Sequence, residues 1–250
     1  MDLSMKKCQL CNCEDFDIFN EHQGNKLVEC KECGFIWLNP LPKREDIEKA
    51  YNNAYNNTAT SYFSKVEKKL FRSKKRLRFM RKYLHKHKNI KFLDIGSNGG
   101  FMVEAARLHG YESTGIEIDP YSVNYARENY NNNTFFEGDL ESYYKINNQK
   151  KFDIIYCSEV IEHLIDVNNF IFLIKKLLHR NGIFFLTTPN IRHWRRPKNL
   201  VAWDAYCPPD HCLYFDNNSI ETLLKKFDLK IIKRMIAFKP GIKIIAKHMF

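Results

Sequence analysis

Lys91-Phe92-Leu93-Asp94-Ile95-Gly96-Ser97-Asn98-Gly99-Gly100-Phe101 is the stretch that decides the fold. It opens as a short apolar run, Ile90 to Ile95, interrupted by Lys91 and Asp94. The run breaks into a turn made of Gly96, Ser97, Asn98, Gly99 and Gly100, after which Phe101, Val103, Ala105, Ala106 and Leu108 recur at helical spacing. A buried strand that turns through glycine into a helix is how an open α/β sheet presents backbone N–H groups to a ligand at the carboxyl end of its first strand.

The same alternation repeats down the chain. Strands are predicted at 90–95, 111–117, 133–137, 152–157 and 182–188, and helices at 99–109, 120–130, 140–146 and 165–179. Strands separated by helix-length segments mean βαβ units and a parallel sheet. The tail differs: a helix over 216–227 with Asp216 as its N-cap, then strands at 229–238 and 242–249 joined by Lys239-Pro240-Gly241 alone. So short a link makes the last two strands antiparallel.

Composition sets the class. The 250 residues suit one large domain or a core domain plus a small module, and 44% hydrophobic with 28% charged residues is ordinary for a soluble protein. A formal charge of +11 points to an anionic partner: nucleic acid, a phosphorylated metabolite or a membrane surface. No apolar run approaches the roughly 20 residues of a membrane span. Residues 1–7 lack a signal-peptide core, so a cytoplasmic location is expected. Thiols stay reduced there, and paired cysteines then argue for metal rather than a disulfide.

Such pairs open the chain. Cys8-x-x-Cys11 is followed by Cys30-x-x-Cys33, the spacing of a zinc ribbon, with Gly34 easing the second knuckle and short strands at 26–29 and 35–38. Four sulfurs fill a tetrahedron, so this zinc would be structural. Cys13 is a spare able to compete with Cys11. Asn39-Pro40-Leu41-Pro42 ends the ribbon, 43–60 reads as a polar helix or loop carrying Tyr51 and Tyr55, and 61–88 as a long basic amphipathic helix. Its stripe is Phe63, Val66, Leu70, Leu77, Met80 and Leu84, with Ser73 in the missing place. The cationic remainder is either the outer face of a sheet-packed helix or a surface for RNA, a nucleotide sugar or lipid headgroups. The expected organisation is a ribbon at 1–38, a helical connector at 39–88 and a catalytic domain at 89–250.

Chemistry-bearing residues cluster where the predicted strands end. Glu117 closes the second strand, where a carboxylate can accept from both hydroxyls of a ribose. Asp119 reads as the cap of the helix opening at Pro120. Asp139 follows the third strand. Ser158 and Glu159 end the fourth, beside the ligand crevice, and His163 would share a face with Glu159 if that segment were helical. Histidine titrates near neutrality and is a candidate general base. The insert at 191–207, with Trp194, Arg195, Arg196 and Trp203, reads as a lid whose arginines would bind a substrate phosphate or carboxylate. His211 follows in Pro208-Pro209-Asp210-His211-Cys212-Leu213-Tyr214-Phe215 as the second base candidate.

These motifs resemble one family. The glycine pattern fails the dinucleotide fingerprint G-x-G-x-x-G, since Asn98 and Phe101 occupy two of its places. As D-x-G-x-N-G-G it resembles the first motif of the class I S-adenosylmethionine (SAM)-dependent methyltransferases, hh-D-x-G-x-G-x-G, with Asn98 replacing the middle glycine. Asparagine tolerates a left-handed backbone best among the alternatives. Phe152-Asp-Ile-Ile-Tyr-Cys-Ser-Glu-Val-Ile-Glu162-His163-Leu164 resembles the F-D-x-I-x-x-x-E-V-[IL]-E-H-[LIV] segment of the UbiG-like small-molecule methyltransferases. The stretch 208–215 resembles their P-x-H-[LI]-x-x-F, with Cys212 extra. The ribbon, followed by C-G-hh-x-h-N-P-x-P and a Tyr-x-x-x-Tyr pair, looks like the start of many bacterial methyltransferases of this group, often linked to sugar, capsule or antibiotic tailoring.

The resemblance covers roughly 90–250. It implies a Rossmann-like, mostly parallel seven-stranded sheet whose last strand is antiparallel. It implies a SAM site at Asp94, Gly96, Ser97, Asn98, Gly100, Glu117, Ile118, Asp139, Leu140 and Ser158, with Asp139 accepting from the adenine amino group. Catalytic roles would fall to His163, His211 and Glu159. The expected function is O-methylation of an anionic small molecule, such as a nucleotide-linked sugar or a cell-surface polysaccharide precursor. The alternatives are an RNA methyltransferase gripping RNA with the ribbon and basic helix, and a SAM-binding module without turnover. Against RNA, no Asn-Pro-Pro-Tyr-type segment follows the fourth strand.

Overall fold

The computed structural model describes residues 5–43, 63–85 and 88–249. In chain order its strands and α-helices are β1 (Phe16–His22), β2 (Asn25–Cys30), β3 (Ile36–Leu38), α1 (Val66–Arg81), β4 (Lys91–Ile95), α2 (Phe101–Arg107), β5 (Glu112–Glu117), α3 (Pro120–Asn129), β6 (Thr134–Glu137) and α4 (Leu140–Asn147). They continue with β7 (Phe152–Ser158), α5 (Val167–Leu177), β8 (Leu178–Pro189), β9 (Leu213–Tyr214), α6 (Asn217–Lys226), β10 (Leu229–Arg234) and β11 (Gly241–His248).

Seven strands form one sheet in the order β10-β11-β8-β7-β4-β5-β6. β4, β5, β6, β7 and β8 pair in parallel, while β11 runs antiparallel to both β8 and β10. The expected α/β sheet with an antiparallel last strand is therefore present. The strand order reverses at β4, which lies between β5 and β7. Open α/β sheets hold their ligands outside the carboxyl ends of strands at such a switch point.

Both faces of the sheet are covered, which the period-2 alternation of its central strands requires. Phe92, Ile154, Tyr156, Ile183, Phe185 and Ile245 point to one side, under Leu77, Met80 and Leu84 of α1 and its end and Met102, Ala105 and Ala106 of α2. Leu93, Ile95, Ile155, Cys157, Phe184, Leu186 and Ile244 point to the other, under α5 and α6. The stripe read from the sequence is thus what seats α1, and Ser73 is buried within it as expected. The helix is shorter than 61–88. It starts at Val66, after Lys65 in a left-handed conformation, and ends at Arg81. Of the remaining expectation, 61–62 and 86–87 lie outside the described residues, as do 44–60 of the predicted polar segment.

Two strands were not legible. β1 pairs with β2 to complete the ribbon's hairpin, and β9 adds to β3, giving a second sheet in the order β1-β2-β3-β9. β9 begins two residues after His211. The ribbon's Leu10, Leu27, Val28, Phe35, Ile36, Trp37 and Leu38 belong to the same apolar cluster as α5, α6 and the sheet.

Candidate functional site

The glycine turn after β4 is folded back over β5: the N–H groups of Gly96 and Ser97 both donate to Ile116 O, at 2.9 and 3.0 Å. Gly96 has φ 75°, and a Cβ there would lie 2.4 Å from Val160 Cγ2. Gly100 has φ 78°, with Phe135 2.8 Å from its would-be Cβ. Both positions need glycine for conformation and for space. Asn98, the departure from the family pattern, sits at φ 46°, and its side-chain oxygen accepts the next N–H, that of Gly99, at 2.6 Å. The replacement thus keeps the left-handed turn and adds a cap to it.

Glu117 fixes the turn from below. Its carboxylate accepts from the N–H groups of Asn98 and Ile118 at 2.8 Å and of Asp119 at 3.0 Å. Burial raises its pKa, against these three donors. Asp94, at 3% exposure, is raised well above the usual carboxylate range by burial and then by the charge of Glu117. Its Oδ1 and the Ser97 hydroxyl are buried with no partner among the described residues. A crevice with acceptors of this kind fits a ligand that brings donors, and SAM carries ribose hydroxyls and an ammonium group. Ile118 stays 45% exposed at the mouth of β5, and Leu140 is buried. Asp139 accepts from Ser142 N at 2.8 Å and caps α4, and Asp119 caps α3 through Ser122 N at 2.7 Å. Phe63, read from the sequence as the first residue of the α1 stripe, lies before the helix, stacks on Tyr125 at 4.1 Å and lies so close to Gly99 that a Cβ there would sit 2.6 Å from its ring.

The carboxyl end of β7 carries the second half of the site. Thr187 donates its hydroxyl to Glu159 Oε1 at 2.7 Å, so the 2.7 Å contact between Ser158 and Thr187 has Ser158 as donor. The segment 159–163 is not one helix. Glu159 takes φ 57°, and a tight 3-10 turn at Ile161–His163 follows. Glu159 therefore turns toward β8 and does not share a face with His163, because a left-handed residue breaks the helical register between them.

His163 instead meets His211: their rings stand edge-to-face with centroids 4.5 Å apart. The two base candidates, read as alternatives, form a pair. Nδ1 of His163 lies 2.9 Å from Asp210 O, and Nδ1 of His211 lies 2.9 Å from Ala205 O. A carbonyl can only accept, so Nδ1 is the protonated nitrogen in both of these hydrogen bonds. Burial disfavours the His163 imidazolium, but Asp210, whose Oδ1 is 3.3 Å away, and Glu162 outweigh it and raise its pKa. Burial and the neighbouring His163 push His211 down to about 4. The two rings are thus driven apart in pKa, His163 up and His211 down.

Glu162 completes the cluster and was passed over in the sequence, although it lies within the quoted motif. It is 1% exposed, Thr188 donates to its Oε2 at 2.9 Å, and its Oε1 has no partner among the described residues. Burial, then the charge of Glu159, pushes it up to about 8. One ligand atom from each of Glu162, His163 and His211 lies within 4.8 Å of the others, close enough to share a proton or a cation.

The insert at 191–207 is anchored. Arg192 pairs with Glu29 of β2 and, at 3.4 Å, with Asp216, the capping residue of α6. Tyr206 OH accepts from Asn20 of β1 at 2.9 Å, and His193 Nε2 donates to Ala237 O at 3.0 Å. Trp194 is 82% exposed, with the Arg195 guanidinium 5.3 Å over its ring. Arg196 donates to Pro197 O at 2.8 Å.

Cys8, Cys11, Cys30 and Cys33 bring four sulfurs within 4.8 Å of one another. Cys8–Cys33 and Cys11–Cys30 lie at 3.5 and 3.4 Å, near the about 3.8 Å edge of a zinc tetrathiolate with Zn–S bonds of ~2.3 Å. Each knuckle ends in a left-handed residue, Asn12 at φ 64° and Gly34 at φ 67°. The contact between Cys8 and Cys33 lowers the thiol of the first and raises that of the second, as expected when two sulfurs share one proton. The residues fit zinc. Cys13 stands apart, its thiol donating to Asp15 O at 3.3 Å.

A family model described as a methyltransferase domain matches residues 62–234. A ubiquinone biosynthesis O-methyltransferase of Pelagibacter ubique (strain HTCC1062) is 36% identical over 104 residues, 41% of this chain and 43% of that protein. One of Bartonella quintana (strain Toulouse) is 28% identical over 167 residues, 61% of this chain and 65% of that protein. The chain thus spans less than two thirds of either relative. Among solved structures, an S-adenosylmethionine-dependent methyltransferase from Clostridium acetobutylicum superposes with a TM-score of 0.57 at 12% identity, covering 81% of this chain and 99% of that one. Magnesium protoporphyrin IX methyltransferase from Synechocystis PCC 6803, with bound SAM, gives 0.54 at 15% identity, covering 80% and 96%. At such identities the likeness is one of fold. Among the described residues no helix is long and apolar enough to cross a membrane.

Proposed function

This chain belongs to the class I SAM-dependent methyltransferases, and on that premise we propose that it methylates a hydroxyl group of an anionic small molecule. The observation that carries the reading is the His163–His211 pair, two imidazoles edge-to-face at 4.5 Å in the segments that follow β7 and precede β9, each held through Nδ1 by a backbone carbonyl. SAM would be held by Asp94, Gly96, Ser97, Asn98, Gly100, Glu117, Ile118, Asp139, Leu140 and Ser158, and would supply an electrophilic methyl group. The chain supplies position and a place for the proton. Holding the acceptor oxygen near attack distance is worth several kcal/mol of the barrier. A sugar or phenol hydroxyl is a weak nucleophile until its proton leaves, and a positioned base contributes ~10²–10⁴-fold.

His163 Nε2 takes that proton, and Asp210 stabilises the imidazolium that results. His211 stays neutral and accepts a hydrogen bond from the acceptor. Glu159 holds Ser158 and Thr187 in place rather than reacting. The charge of +11 and exposed Arg195 in the lid support a negatively charged acceptor. The two relatives are named for ubiquinone biosynthesis, so phenolic acids belong beside nucleotide-linked sugars as acceptor classes. Cys8, Cys11, Cys30 and Cys33 would hold a structural zinc. A His pair with divergent pKa values supports turnover over passive SAM binding.

The test uses methyl-labelled SAM with phenolic acids, nucleotide-linked sugars, their neutral analogues and RNA, followed by mass spectrometry. Label on the hydroxyl of an anionic small molecule, lost in His163→Ala, is the expected result. Transfer to neutral acceptors alone, or to RNA alone, sinks the reading.

A further inference from the structure

The cysteine cluster is remote in sequence from the histidine pair, yet one residue inside its first knuckle reaches that pair's supporting chain. Gln9 lies between Cys8 and Cys11. Its Nε2 donates to Ile165 O at 2.7 Å, and its Oε1 accepts from Val167 N at 3.0 Å. Its backbone oxygen accepts from Asn168 Nδ2 at 2.9 Å and from Lys226 Nζ at 2.7 Å. The side-chain amide therefore pairs with the chain as a neighbouring strand would. Its orientation is fixed, because Ile165 O can only accept and Val167 N–H can only donate. Ile165 is the second residue after His163.

The other flank of the pair is held from the ribbon too. Leu38 N donates to Cys212 O at 2.8 Å, and Cys212 N donates to Glu162 O at 3.0 Å. His211 precedes Cys212 and His163 follows Glu162, so a continuous ladder runs from β3 through the 212 position to the 162 position. With Gln9 on one side and β3 on the other, the ribbon clamps both segments that carry the catalytic rings.

We propose that Gln9 is a positioning residue for His163, through which the Cys-x-x-Cys knuckle sets the geometry of the acceptor-side histidine pair. This rests on the methyltransferase reading given above. Gln9 touches neither cofactor nor acceptor. Its two hydrogen bonds fix where the chain leaves His163, and a base displaced by a fraction of an ångström loses its alignment with the acceptor proton.

The test is Gln9→Ala in the full chain with its metal as purified, read in three ways. The ring cross-peaks of His163 and His211 in NMR spectra should move from their wild-type positions. The calorimetric affinity for SAM should stay within about twofold, since the glycine turn is built from β4 and β5. kcat should fall on the order of 10-fold with KM for SAM unchanged. Gln9→Glu keeps the size and the acceptor for Val167 N–H but loses the donor to Ile165 O, so it should give a partial shift. It also decides the matter if the alanine variant does not fold. Folded variants whose histidine ring signals coincide with wild type would overturn the inference. If the wild-type protein methylates no acceptor, the function reading fails while the ring signals still decide this one.

Discussion

Replacing Glu162 by glutamine tests the electrostatics of the cluster directly. Glu162 is buried at 1% exposure with Oε1 unpartnered among the described residues, and burial with the Glu159 charge raises its pKa from 4.5 to about 8. The group raised in the folded state favours folding fully below its unfolded value near 4.5, and that contribution is lost as pH rises to and through 8. At 1.36 kcal/mol per pKa unit, the full span is about 5 kcal/mol. Glu162 titrates together with its neighbours, so the measured loss should be roughly 3–5 kcal/mol. Glutamine keeps the shape and an acceptor for Thr188 but cannot ionise. In urea melts from pH 5 to 9, without added divalent cations, wild type should lose stability relative to Glu162→Gln by that amount, or about 10 °C in thermal midpoint for a chain of this size. Parallel curves across the range would refute the reasoning, because they would mean that Glu162 is not desolvated.

Three further outcomes follow from the same geometry. Glu117→Ala removes a carboxylate that accepts three backbone N–H groups, and calorimetric SAM affinity should fall about 10–100-fold, matching a lost charged hydrogen bond of ~1.5–3 kcal/mol. Asp210 raises the pKa of His163, so kcat should rise with pH through that raised value, and Asp210→Asn should move the acid limb to lower pH; a shift upward would exclude His163 as the base. Cys30→Ser should remove the metal found by elemental analysis and cost several kcal/mol of stability, because the ribbon's apolar residues belong to the main core.

The cofactor side was legible because its information is local. Gly96 and Gly100 announce backbone conformations a few bonds away, and Asn98 announces its own tolerance for a left-handed turn. Asp119 and Asp216 were readable as caps for the same reason, each bonding an N–H three residues on. The strands of the sheet were legible as short apolar runs between helix-length segments, because the central ones are buried on both faces. Only their ends moved, as at β8, where the ladder to β7 shifts register between Phe152 and Ile154 and the strand starts at Leu178 instead of 182. Glu159 and His163 failed as a helical pair because a single dihedral at Glu159 broke the register, and nothing in E-V-I-E-H distinguishes that conformation from a helix.

The acceptor side depends on contacts that no local pattern encodes. Gln9, Asn20, Glu29 and Leu38 look like ordinary ribbon residues, yet each reaches a partner beyond residue 160: Ile165 and Val167, Tyr206, Arg192 and Cys212. The two-residue strand β9 is too short to show a period, and it exists because β3 offers it an edge. That edge matters physically. An unpaired β3 would leave backbone donors and acceptors exposed for intermolecular pairing, and here the segment that ends in the histidine pair covers it. The ribbon's stability and the placement of His211 are therefore one problem. A substitution that loosens either should be felt at the other, while the glycine turn, built between β4 and β5, keeps its geometry.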